Sequence, residues 1–251
     1  MKKILFLLMV FLLAACGKRG PLVPPEALVP APIKDLRVEQ KGDRFLVCWS
    51  GPGKQEWGGP LNGLAGFRVF RREVLPPDED CEECPTAYRP VKTVDPDYLQ
   101  DVRRSGSLFC FLDGDLSNGT TYQYKAVSFQ KDGAVSRDSN KARRKKTPAP
   151  APPLLTAVST QDGVTLQWKP GTVPPGGTQE GFSIYRKLVD EIMPLSPIAY
   201  VPADVARFAD PRMEHGVKYL YGVRSVAMID GERVESDLSN EVEGRFSLST
   251  E

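Results

Sequence analysis

Cys81 and Cys84 form a C-x-x-C pair inside PPDEDCEECP, Pro76 to Pro85, the one stretch whose residue types and spacing suggest reactive chemistry. Two thiols at that spacing can work as a redox dithiol, supply half of a metal site, or close into a structural disulfide. A reactive dithiol needs its thiol pKa lowered by positive charge or a helix amino terminus. Here Asp78, Glu79, Asp80, Glu82 and Glu83 crowd the sulfurs, and like charge disfavours a thiolate. The acidic setting, with no βαβ pattern nearby, argues against redox catalysis and leaves the metal and disulfide readings open.

Other material for catalysis is sparse. His215 is the single histidine and sits just before Gly216, where a turn residue is expected. No Ser, His and Asp set can be built beyond that imidazole, no GxSxG or phosphate-cradling glycine loop occurs, and the carboxylates lie in loops without an identifiable pair. The expectation is therefore no catalytic residue and no cofactor. Trp57 is the binding candidate: in KQEWGGPLNG it has polar and glycine neighbours and no alternating pattern to bury it. Such a ring can stack on a sugar or a partner's side chain, or pack over the end of its own domain or against the second.

The elements that carry these residues are strands. Val164, Leu166 and Trp168 alternate with polar neighbours, as do Tyr219, Tyr221 and Val223, and period two marks a strand with one buried face. The chain also repeats. AGFRVFRRE at Ala65 to Glu73 matches EGFSIYRKL at Glu180 to Leu188, and NGTTYQYKAVS at Asn118 to Ser128 matches HGVKYLYGVRS at His215 to Ser225. SRDSNKA from Ser136 matches ESDLSNEV from Glu235, and FLVCW at Phe45 to Trp49 matches VTLQW at Val164 to Trp168. Four blocks recurring in one order mean two copies of one domain. The first copy is longer between its matching blocks, and part of the excess is the C-x-x-C insertion.

These blocks resemble the fibronectin type III family: a Trp on the second strand, GF-x-[VI]-[FY]-R on the third, a G-x-x-Y-x-Y entry to the sixth and S-x-x-S-N near the last. The resemblance implies an all-β fold of two tandem antiparallel sandwiches, immunoglobulin-like in architecture, over residues 33–147 and 154–246, joined by a Pro-rich linker at 148–153. Tyr122 and Tyr219 would be tyrosine corners. In that arrangement the strands of Cys48 and Cys110 are neighbours in one sheet, both side chains pointing away from the core, while the insertion hangs from the opposite sheet. A four-cysteine zinc site is then disfavoured, and the implied pairings are Cys48 with Cys110 and Cys81 with Cys84. The linker reads as a semi-rigid spacer of about 20 Å, and the basic run Arg143 to Lys146 before it as a solvated strand end.

The amino-terminal end assigns a location. Lys2 and Lys3 precede the apolar run Ile4 to Leu13, which is too short to span a bilayer. Leu13-Ala14-Ala15-Cys16 resembles the lipobox of bacterial lipoproteins, in which the cysteine is acylated and the preceding residues 1–15 are removed. Acyl chains contribute about 0.8 kcal/mol per buried methylene, so two or three anchor a domain stably. Residues 16–32, with five prolines after Cys16, read as an extended tether. CGKRGPL at Cys16 to Leu22 is similar to short outer-membrane lipoproteins associated with the lipopolysaccharide translocon. Without Lys2 and Lys3 the formal charge falls from +1 to −1, which argues against nucleic acid as a partner. The expectation is an envelope protein, anchored by lipid to the cell outer membrane, with a protein or glycan partner; its alternative is a structural part of an envelope assembly or secretion apparatus.

Overall fold

The computed structural model describes residues 28–160 and 163–245, so Cys16, the leader and most of the tether lie outside the described residues. It is all-β. The first half runs β1 (Arg37–Lys41), β2 (Arg44–Ser50), β3 (Leu64–Glu73), β4 (Arg89–Val94), β5 (Val102–Ser105), β6 (Leu108–Asp113), β7 (Thr121–Gln130) and β8 (Ala142–Lys145). The second runs β9 (Leu154–Thr160), β10 (Gly163–Lys169), β11 (Thr178–Leu188), β12 (Ala199–Pro202), β13 (Arg207–Asp210), β14 (Lys218–Ile229), β15 (Glu232–Glu235) and β16 (Val242–Arg245).

Each half is a sandwich. Sheet β1-β2-β6-β5 faces β4-β3-β7-β8, and sheet β9-β10-β13 faces strands β12-β11-β14-β16. Period two explains the cores. Phe45, Val47 and Trp49 point inward from β2 and meet Phe67 and Val69 from β3 and Tyr122 and Tyr124 from β7. Trp49 makes edge contacts with Phe67 and Phe111 at 5.5 and 6.2 Å between ring centroids. In the second core Trp168 meets Phe182 at 5.2 Å. Each such side chain contributes about 1.5–3 kcal/mol by leaving water.

The repeated sequence blocks have repeated physical causes. In the GF pair, a Cβ on Gly66 would lie 2.2 Å from the Val94 carbonyl and one on Gly181 2.3 Å from that of Val201. Only glycine lets these neighbouring strands approach so closely. A register shift between Leu64 and Gly66 in β3 and one between Gln179 and Gly181 in β11 bring each strand to that point.

The S-x-x-S-N block replaces missing strand bonds. Ser136 and Ser139 accept from the amides of Ser128 and Ala126 through their hydroxyls, as Ser236 and Ser239 do from Ser225 and Val223. Asn140 accepts from the Leu36 amide and donates to its carbonyl, and Asn240 does the same with Leu155. Tyr122 is a tyrosine corner, accepting from the Ser117 amide at 2.9 Å. Tyr219 is not: its ring is buried beneath Arg186, and its hydroxyl makes no hydrogen bond among the described residues.

The two halves are not held apart. β1 pairs in parallel with β15, Gln40 opposite Val234 and Lys41 opposite Glu235, so one sheet runs from β12 through β14, β15, β1 and β2 to β5. The semi-rigid spacer expected at 148–153 is therefore corrected. Gln40 donates to the Thr147 carbonyl and accepts from its amide at the start of the linker, and Ala149 packs against the apolar cluster of Ala227, Ile229 and Val234. Part of the basic run is likewise not a solvated end. Arg144 pairs with Glu232 at 2.8 Å and donates to the Arg233 carbonyl, while Lys146, 2% exposed, donates to Asn118 and the Thr147 carbonyl.

Candidate functional site

The four cysteines in the described residues are consumed in two disulfides. Cys48 and Cys110 stand directly opposite on β2 and β6 and are bonded. Their side chains point away from the first core, yet they are only 3% and 1% exposed, because Leu195 from the loop between β11 and β12 covers them together with Leu46 and Leu108. Cys81 and Cys84 are bonded to each other in an exposed loop between β3 and β4. The pairs lie on opposite sheets of the first sandwich and share no ligand position.

The acidic residues around Cys81 serve a different purpose from tuning its sulfur. Glu82 receives bonds from Lys141, from Gln123 at 2.8 Å and from Arg143 at 3.0 Å. Asp80 pairs with Arg72, whose side chain is almost fully buried on the outward face of β3. The insertion is thus clamped over a polar stripe of Arg72 from β3, Gln123 from β7, Lys141 before β8 and Arg143 within it. Bonding to Lys141 holds the Glu82 carboxyl at about 2, against 4.5 unperturbed, in spite of some desolvation. Because the folded value is lowered, this docking is complete above about 4.5 and is lost as pH falls through about 2. Glu82→Gln should therefore speed hydrogen exchange of the loop amides roughly fivefold at neutral pH, matching about 1 kcal/mol of local stability. Carboxyl NMR of the unaltered chain should titrate Glu82 near 2; a midpoint near 4.5 would mean the clamp does not form.

At the junction of the sandwiches lies a cleft of about 940 Å3, whose floor and rim include Lys41, Glu235, Ser183, Tyr200, Arg233 and Leu195. Lys41 reaches Glu235 at 2.8 Å and donates to the Tyr185 hydroxyl at 3.0 Å. Glu235 also accepts from Tyr185 and Ser183 at 2.9 and 2.8 Å. Burial works against the Glu235 charge, but Lys41 and the two hydroxyls outweigh it and leave the carboxyl below its ordinary value. Burial first, then the Glu235 charge, pushes the Tyr185 phenol above its own. Lys41, Glu235 and Tyr185 fasten β1, β15 and β11 together at the cleft floor. At the rim the Arg233 guanidinium stands 4.7 Å from the half-exposed Tyr200 ring.

Trp57 is 48% exposed and lies in the loop between β2 and β3, away from the second sandwich. Its ring rests on Gly59, where a Cβ would come within 2.0 Å of it, and its indole N–H donates to Gln55 at 2.6 Å. His215 occupies an exposed turn before β14.

Two internal triads went unread in the sequence although the repeat carries them. Arg71 pairs with Asp113 at 2.7 Å and Tyr124 donates to the same carboxylate at 2.8 Å; Arg186, Asp210 and Tyr221 repeat this at 2.8 and 2.8 Å. Each ties the two sheets of its sandwich together. The signal was an Arg and a Tyr at matched positions in both copies.

No family model and no curated protein matches the chain. Among solved structures it is similar to the crystal structure of chicken CNTN1 FN1-FN3 domains, at 13% identity and a TM-score of 0.36, covering 86% of this chain and 64% of that one. The chain thus spans less than two thirds of that structure's length. Its own strand order defines an all-β protein of paired antiparallel sandwiches.

Proposed function

We propose that this is a lipid-anchored cell-envelope protein that binds a protein or glycan partner and presents it at a set distance from the membrane. The supporting observation is the continuous sheet through β15 and β1, which makes two sandwiches one stiff body. A flexible pair would not fix a distance. The lipobox-like Cys16 supplies the anchor in this reading, and the cleft between the sandwiches, with the Tyr200 and Arg233 platform on its rim, supplies a place to bind.

Two measurements test it. Metabolic labelling with a palmitate analogue should mark the mature chain; an unmarked chain found free of the membrane would overturn the anchor. Photo-cross-linking in intact cells from Tyr200 should yield either one dominant protein or glycan-bearing material. A single envelope protein captured in constant ratio would favour the reading as a structural part of an assembly, and no capture above background would overturn the cleft as the binding place.

A further inference from the structure

The pole of the first sandwich at which the chain enters carries an apolar platform of its own. Ala31 donates to the Lys54 carbonyl and Glu56 to that of Val29, both at 3.0 Å, with Pro30 opposite Gln55. Leu28 and Trp57, 44% and 48% exposed, each lie two residues from that bridge, Trp57 in the turn that the Gly58 amide closes onto the Gln55 carbonyl. The hairpin after β7 is fastened to the same loop by the Lys131 amide, which donates to the Gly63 carbonyl at 2.9 Å, and it adds the exposed Val135. Lys54 and Lys131, in the same two loops, are exposed. Glu56 is answered by Arg137, and Asp132 is occupied by the Ala134 amide. The junction with the second sandwich begins at Gln40 and Lys41, the other end of β1.

From this arrangement we infer that the pole of Trp57, Leu28 and Val135 rests on the bilayer surface itself, with Lys54 and Lys131 over anionic headgroups. The inference rests on the lipid-anchor reading of Cys16. From Cys16 to Leu28 is twelve residues, about 37 Å at the polyproline rise, so an anchored chain holds this pole within that reach of the lipid, nearer on average than the far end of the molecule. A tryptophan with an apolar body and a polar N–H suits the interface between headgroups and acyl chains. The ring is already fixed by Gly59 and Gln55, so little rotamer freedom is lost when it inserts. Basic residues beside an anchor add attraction to anionic lipid.

The other tryptophans report nothing from lipid, since Trp49 and Trp168 are 0% and 5% exposed. The purified mature chain is reconstituted on vesicles of phosphatidylethanolamine and phosphatidylglycerol with brominated acyl chains. Part of the tryptophan emission should be quenched and the remainder of the Trp57 band shifted to the blue, and Trp57→Phe should abolish the quench with unchanged flotation and melting. Lys54→Glu with Lys131→Glu should reduce it. A chain shown by mass to be acylated that floats with the vesicles but is not quenched overturns the inference alone and leaves Trp57 to a glycan or a protein. A chain without an acyl group overturns the anchor and the inference together.

Discussion

Replacing Cys48 and Cys110 together by alanine should lower the unfolding free energy of the first sandwich by about 4 kcal/mol, whereas the same change at Cys81 and Cys84 should cost no more than about 2 kcal/mol. The difference comes from the chain that each bond closes. Cys48 and Cys110 are 62 residues apart and Cys81 and Cys84 three, and the freedom denied to the unfolded chain grows with the logarithm of that separation. The long bond also ties β2 to β6 through the middle of a sheet, while the short one closes an exposed loop already clamped by Asp80 and Glu82. Denaturant unfolding of the two double variants checks this. Equal losses would mean that the insertion loop, and not the sheet, limits stability. Exposure adds a kinetic corollary: a small thiol should reduce Cys81–Cys84 in the folded protein well before Cys48–Cys110, which Leu195 covers.

The features legible in the sequence were those repeated in both copies. Period two located the strands because each has one face on a core. The S-x-x-S-N block and the GF pair were visible as matches, and their causes, hydroxyls replacing strand bonds and a close approach of carbonyls, emerge only from the geometry. The sideways joining of the sandwiches was not legible. A parallel pairing of β1 with β15 is made by backbone groups, and every strand edge offers the same groups whatever its side chains. Lys41, Arg144 and Lys146 are individually ordinary surface residues, so a basic run reads as solvated until Glu232, Glu235 and Asn118 are known to face it. The same reasoning explains the Tyr219 correction. Its sequence position is that of Tyr122, but the corner depends on a backbone amide brought to the hydroxyl by the preceding turn, and only Ser117 is so placed.

Removing the Glu235 carboxylate should uncouple the two sandwiches. In Glu235→Ala the Lys41 ammonium, 8% exposed, keeps the Tyr185 hydroxyl but loses its counter-ion, and stripping one partner from a largely buried pair costs about 3 kcal/mol. That loss falls on the contact between β1 and β15, because Lys41 and Glu235 are register partners there. A single cooperative melting transition should split into two, and small-angle scattering should show a larger maximum dimension. Lys41→Met combined with Glu235→Leu should recover much of the loss, since an apolar pair leaves no charge unanswered. Acid should act on the unaltered protein in the same way. The Glu235 value is lowered in the fold, so its contribution is complete above the ordinary 4.5 and disappears only as pH falls through the lowered value. Glu235→Gln should already be uncoupled at neutral pH and insensitive to that acid step. A variant that melts once, with unchanged dimensions at neutral pH, would show that the backbone pairing and Arg144 hold the junction without the ion pair, and the stiffness of the two-sandwich body would then rest on the sheet alone.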